Sequence, residues 1–219
     1  MKNIFLLLIV CFTTSIIKAQ TFTTVDAFNY PKSIMYSDAG YYFKDTQGYF
    51  NQYIGIWQYN VGTLNILLRF ERKTMIQSHN LGSYKTDVLV GGVRVIKNGV
   101  EVMNTLSTVN DTKNLYVEYF LFNGYRPANT PNCYNCTTPN QRLHIYYKEP
   151  DNDNNAFALM FFDMHIYYNA QNQPILRVVF TEEALQGKDP NYYDPMIETA
   201  PTKTTLHLPF GTYDFVKVP

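Results

Sequence analysis

Three short segments carry side chains whose types and spacing could do chemistry. Cys133-Tyr134-Asn135-Cys136 sets two thiols three positions apart. In a thioredoxin-like site such a pair opens a helix whose N-terminus depresses the first thiol's pKa. Here Pro127, Pro131 and Pro139 punctuate the surroundings, and Thr137-Thr138-Pro139-Asn140 does not begin such a helix. A structural zinc centre takes four ligands. No second cysteine pair exists, and His144 would supply only a third ligand, so no metal is assigned. In an oxidising compartment the pair reads as a local Cys133–Cys136 disulfide closing a tight loop.

Asp163-Met164-His165 is the second segment. Residues two apart in a strand share a face. Asp163 and His165 therefore stand with Phe157, Leu159, Phe161 and Tyr167, while Met160, Phe162, Met164 and Ile166 point the other way. A carboxylate beside an imidazole makes an acid–base pair or half a metal site. The aromatic company makes this face resemble a pocket lining, and Phe157, Phe161, Asp163, His165 and Tyr167 are the candidate ligand-binding residues. The plainer alternative is the solvent face of a half-buried strand. Third, Asp151-Asn152-Asp153-Asn154-Asn155 starts like a calcium loop, but Ala156 stands where glycine is needed and Phe162 where the bidentate Glu belongs, which excludes an EF-hand. No Gly-x-Ser-x-Gly, His-Glu-x-x-His or phosphate-cradling glycine loop occurs, and the four histidines fall in separate segments. No catalytic residue and no cofactor follows.

The elements that must position these groups are strands. The chain has 219 residues, 16% of them charged and 16% aromatic, with 19 Tyr and 15 Phe. Such a chain has ample apolar surface to bury and is not disordered. Its 18 basic and 18 acidic side chains cancel, so no charge excess drives nucleic-acid binding. Met1-Lys2-Asn3, the apolar run 4–12 and Ala19 read as a secretory signal peptide over residues 1–19, cut before Gln20. Nine apolar residues are too few to span a bilayer, and no transmembrane segment is expected in the mature chain. The protein is thus expected to be exported, to the periplasm, the outer surface or the medium.

Residues 20–50 lack clear periodicity and read as an irregular N-terminal arm, with one short helix around 45–53. From Tyr53 onward the pattern is extended. Leu64, Ile66, Leu68 and Phe70 alternate with Asn65, Leu67, Arg69 and Glu71. Val88, Val90 and 93–96 form a second run with Gly91-Gly92 inside it, which marks a bulge or a barrel corner. Asn98-Gly99 tolerates positive φ at both positions and closes a two-residue hairpin between 86–97 and 100–106. Further strands are expected over 115–122, 142–147, 157–168, 175–180 and 206–218, while helical spacing is confined to 181–186. Eight to ten strands separated by turns make a mainly β fold, one antiparallel barrel or sandwich spanning 20–219.

Tyr53-Ile54-Gly55-Ile56-Trp57 stands at the start of this series, and Trp57 is the only tryptophan. Gly-x-Trp at the entrance to the first strand resembles the signature of lipocalins and related calycin barrels. The resemblance implies a closed barrel with Trp57 plugging one end, Gly55 letting the chain turn beneath it, and a small apolar ligand in a widened mouth. The wider order looks like that of an uncharacterised exported family of Bacteroidota. It comprises the signal ending in Ala19-Gln20, Tyr-x-Gly-x-Trp, an apolar strand, the Asn98-Gly99 hairpin, Leu208-Pro209 and Lys217. That family has no assigned activity, so it implies a fold and a compartment, not a site. Two functions follow as expectations. One is a non-enzymatic binding protein holding a small apolar or aromatic ligand in its barrel. The other is a surface protein that contacts protein or glycan through exposed tyrosines, which offer rigid amphipathic contact area.

Overall fold

Period-two alternation over 64–70 does become a strand, and a long one, because pairing with residues 85–97 carries it on to Gln77. The computed structural model describes residues 21–29, 40–77, 84–113, 115, 118–122, 142–150, 160–182 and 206–219. They form β1 (Thr23–Asp26), β2 (Tyr41–Lys44), β3 (Gly55–Val61), β4 (Leu64–Gln77), β5 (Lys85–Lys97) and β6 (Val100–Asn104). β7 (Leu121–Phe122), β8 (Leu143–Tyr147), β9 (Met160–Tyr168), β10 (Pro174–Glu182) and β11 (Gly211–Lys217) follow.

Eight of these strands, in the order β5-β4-β3-β11-β10-β9-β8-β7, pair antiparallel, and β7 returns to β5 to close a barrel. Closure removes the unpaired edges that an open sheet would expose. One side of β5 pairs with β4 along its length, and its other side is shared by three strands in turn. β2 takes Lys85 and Thr86, β7 takes Val90 and Gly91, and β6 takes 94–97. The arm expected to be irregular thus contributes β1 and β2, which run parallel to each other and to β5.

Gly91-Gly92 sits where β5 changes partners, and close approach explains both glycines. A Cβ on Gly91 would lie 2.7 Å from the Phe70 ring. On Gly92 it would lie 2.4 Å from the Thr105 carbonyl oxygen. The irregular register between β4 and β5 falls elsewhere, between Lys73 and Ile76, where Met75 has φ 53°. The Asn98-Gly99 hairpin forms as its residue types dictate, with φ of 51° and 78° joining β5 to β6.

Other expectations are corrected. The helix near 45–53 is a 3-10 turn, Tyr49–Gln52. Among the described residues of 115–122 only Leu121–Phe122 is a strand, and Tyr119, in the bend before it, donates to the Asp111 carbonyl at 2.8 Å. Thr181 and Glu182 end β10 instead of starting a helix.

Inward positions of all eight barrel strands meet in one packed cluster. Trp57, Ile66, Leu68, Phe70, Leu89, Val93, Leu121, Ile145, Phe162, Leu176, Phe180 and Phe215 are among its buried members, joined by Phe50 and Tyr53. Fully burying side chains of this size contributes about 1.5–3 kcal/mol each. A smaller cluster lies on the outer wall, where Val88, Val90 and Phe122 pack with Ile76, Val109 and Tyr119.

Two buried carboxylates fasten the strand entrance. Asp45 accepts the backbone N–H groups of Tyr49 (2.7 Å) and Phe50 (2.9 Å), and Arg72 lies 3.8 Å from it. Asp87 accepts the Tyr42 hydroxyl (2.5 Å), the Asp45 N–H (3.1 Å) and the Met75 N–H (3.4 Å). Burial first, then the Asp87 hydrogen bond, pushes the Tyr42 hydroxyl pKa well up. Nearby, the Trp57 indole N–H donates to the Tyr53 carbonyl at 2.8 Å, and Lys217 lies 5.3 Å from the Trp57 ring centre. Gly55, at φ 121°, leaves room for the Lys217 stem, whose Cε would be 3.2 Å from any Cβ there.

Candidate functional site

Strand parity divides the residues of β9. Met160, Phe162, Met164 and Ile166 belong to the barrel core. Phe161, Asp163, His165 and Tyr167 face the opposite way, onto the outer wall. The face proposed as a lining is therefore brought together as expected, but it does not line the barrel interior. Phe161 is the exception to its exposure, being buried under the rings of His144 (4.1 Å between centroids) and Tyr146 (4.7 Å). Phe157 lies outside the described residues, as do Cys133, Cys136 and residues 151–155 and 1–19.

Neighbouring strands extend the face in register. His144 on β8 stands opposite Asp163, and its Nδ1 donates to Asp163 Oδ1 at 2.7 Å. Tyr146 stands opposite Phe161 and stacks on Phe122 at 5.2 Å. Arg177 on β10 stands opposite both His165 and Asp214. Its guanidinium donates to both Asp214 oxygens at 2.7 Å and lies 5.0 Å from the Tyr167 ring centre. This fork-to-fork arrangement fixes the plane of the guanidinium.

The Arg177 hydrogen bonds hold the Asp214 carboxyl below the usual carboxylate range. Partial burial, reinforced by Asp214, raises the Tyr167 hydroxyl. His165 is pushed down by burial first and then by the charges of Arg142 and Arg177. Two imidazole nitrogens, His144 Nε2 and His165 Nδ1, are buried without a hydrogen-bond partner. The band thus offers fixed donors and acceptors beside aromatic faces. Among the described residues no three His, Cys, Asp or Glu side chains converge as a metal site.

Sequence reasoning missed two parts of this picture. Arg142, Arg177 and Asp214 belong to the same outer face, and the pairing of β8, β9, β10 and β11, not any motif, brings them there. A second acid–base contact lies at the inner end of β8. Glu149 accepts the Tyr147 hydroxyl at 2.9 Å and pairs with His207 Nδ1, while the Tyr147 hydroxyl also lies 3.5 Å from Met103 Sδ. The signal for it was present, since 143, 145, 147 and 149 share one parity and the first three are apolar. A carboxylate continuing an inward series needs a buried partner.

A closed eight-stranded antiparallel β-barrel with a packed core and a polar–aromatic outer band is a fold compatible with a binding protein. The chain belongs to the Family of unknown function (DUF6705), whose sequence model matches residues 1–184. No curated protein and no solved structure matches it. No helix of the described residues is long and apolar enough to cross a membrane.

Proposed function

We propose that this is an exported, non-enzymatic binding protein that holds a glycan on the outer wall of its barrel, across β8 to β11. The observation that carries this reading is the Arg177–Asp214 pair held beside Tyr167. A sugar ring presents an apolar C–H face and a rim of hydroxyls, so it is recognised by an aromatic side chain beside planar groups that donate and accept without rearranging. Arg177, Asp214, Tyr167 and His165 supply that combination. A small apolar ligand inside the barrel is the other reading, and it would require the packed inner cluster to give way.

Export through the 1–19 leader and a closed Cys133–Cys136 bridge complete the proposal, since both suit a protein working outside the cytoplasm. The mature chain and its Tyr167→Ala variant, spread on a glycan array, test the reading. Wild-type protein should mark a subset of glycans, and the variant should lose them. If native mass spectrometry instead finds a co-purified apolar molecule while the array stays blank, binding belongs inside the barrel.

A further inference from the structure

Charge along this wall is not evenly matched. Arg177 is neutralised by Asp214. Arg142, immediately before β8, adjoins the Leu143–Met164 pair and so comes to the row of His165, which stands opposite Arg177. No carboxylate among the described residues lies within ion-pair distance of Arg142. Between the two guanidiniums sits an imidazole whose Nδ1 has no partner. Asp163 is engaged with His144. The Arg142 guanidinium therefore remains for something outside the chain, beside an imidazole whose Nδ1 is enclosed.

We infer that Arg142, His165 and Arg177 form a notch for the carboxylate of an acidic sugar, which docks its ring against Tyr167. The inference rests on the glycan reading above and narrows it to uronates. A planar carboxylate matches the guanidinium fork of Arg142 with two parallel hydrogen bonds, a fit an ammonium could not offer. A carboxylate arriving there also favours protonation of His165, so binding takes up a proton. The charged and titratable groups facing His165 are Arg142 and His144 from β8, Asp163 and Tyr167 from β9, Arg177 from β10 and Asp214 from β11. Burial first, then the charges of Arg142 and Arg177, holds His165 neutral to below its ordinary 6.5. Affinity should accordingly rise as pH falls through and below that region, until the sugar's own carboxylate protonates.

The experiment is isothermal titration of the mature chain with trigalacturonate and with neutral galactotriose, at about pH 7.5 and about pH 5.5, on either side of the histidine range. Trigalacturonate should bind at least ~10-fold more tightly than galactotriose, the scale of one charge-assisted hydrogen bond. Arg142→Gln should lose that margin and leave galactotriose unchanged. Arg142 has no ion-pair partner among the described residues, and an unchanged melting temperature verifies the variant's fold. His165→Gln should flatten the pH dependence, so that whatever affinity it keeps for trigalacturonate is the same at both pH values. Equal affinity for the two sugars, or Arg142→Gln binding trigalacturonate as wild type does, overturns the carboxylate notch and leaves the glycan reading standing. Failure of both sugars to bind while the array marks other glycans overturns the notch alone. A blank array as well removes both.

Discussion

At the scale of single residues, burial and hydrogen bonding separate side chains that look alike in the sequence. Trp57 is fully buried with its N–H satisfied by Tyr53. Trp57→Ala should cost on the order of 3–5 kcal/mol in denaturant unfolding, through lost transfer energy and the cavity left behind. As the only tryptophan, it should emit at short wavelength and resist acrylamide in the native protein. Its importance was legible beforehand, because Gly55-x-Trp57 opens a run of strands. The weight on Asp45 was not legible, since nothing local shows that Tyr49 and Phe50 will need its oxygens. Asp45→Ala should destabilise by about 1–3 kcal/mol, because two backbone N–H groups lose their acceptor in a buried setting. Arg72→Ala should cost under ~1 kcal/mol, as expected for a 3.8 Å ion pair with one partner partly exposed. Urea midpoints of the two variants, compared at equal slope, check the ranking.

At the scale of elements, turn chemistry and alternation proved readable wherever the backbone itself imposes them. Asn98-Gly99 specifies positive φ, and β4 and β9 specify which residues share a face. What alternation cannot state is which face is inward. Phe161, Asp163, His165 and Tyr167 share one face of β9 by parity alone. Only the register of β9 between β8 and β10 assigns them to the outer wall, because both parities of 157–168 are rich in apolar residues. Run 115–122 fails for a related reason: Tyr119 serves the outer cluster from a bend, and among the described residues only Leu121 and Phe122 are strand. Gly91-Gly92 was recognised as a special point, but for bending instead of contact. The contact account makes its own prediction. Gly92→Ala should destabilise by about 1–3 kcal/mol, since the added methyl meets backbone atoms of Thr105 and Leu106 that cannot rotate away. Gly99→Ala meets nothing within 4 Å and should suffer only from its φ of 78°, about 1 kcal/mol. Thermal unfolding of both, with circular dichroism confirming retained strand content, separates steric from conformational cost.

For the whole molecule, closure makes β8 to β11 a single plate, so titration of its wall groups is felt as stability of the barrel. His165 has a folded pKa below its ordinary 6.5. The unfolded chain therefore binds the proton more readily, and the contribution of this residue is fully present above about pH 6.5 and is lost as pH falls below it. Asp214 is also lowered, from an ordinary 3.8, by its Arg177 hydrogen bonds. Its contribution is present above that value and lost as pH falls through it. Because the Arg177–Asp214 pair is half exposed, with side chains 41% and 40% accessible, screening by solvent keeps that share small. Acid destabilisation should thus come in two limbs, a first one beginning just below pH 6.5 and a second in the carboxylate range. Melting temperature followed from pH 8 to pH 3 (a span covering both ordinary pKa values) should show this shape in wild type. In His165→Gln the first limb should vanish while the second persists. If that variant still loses stability between pH 6.5 and pH 5 as wild type does, the first limb does not come from His165.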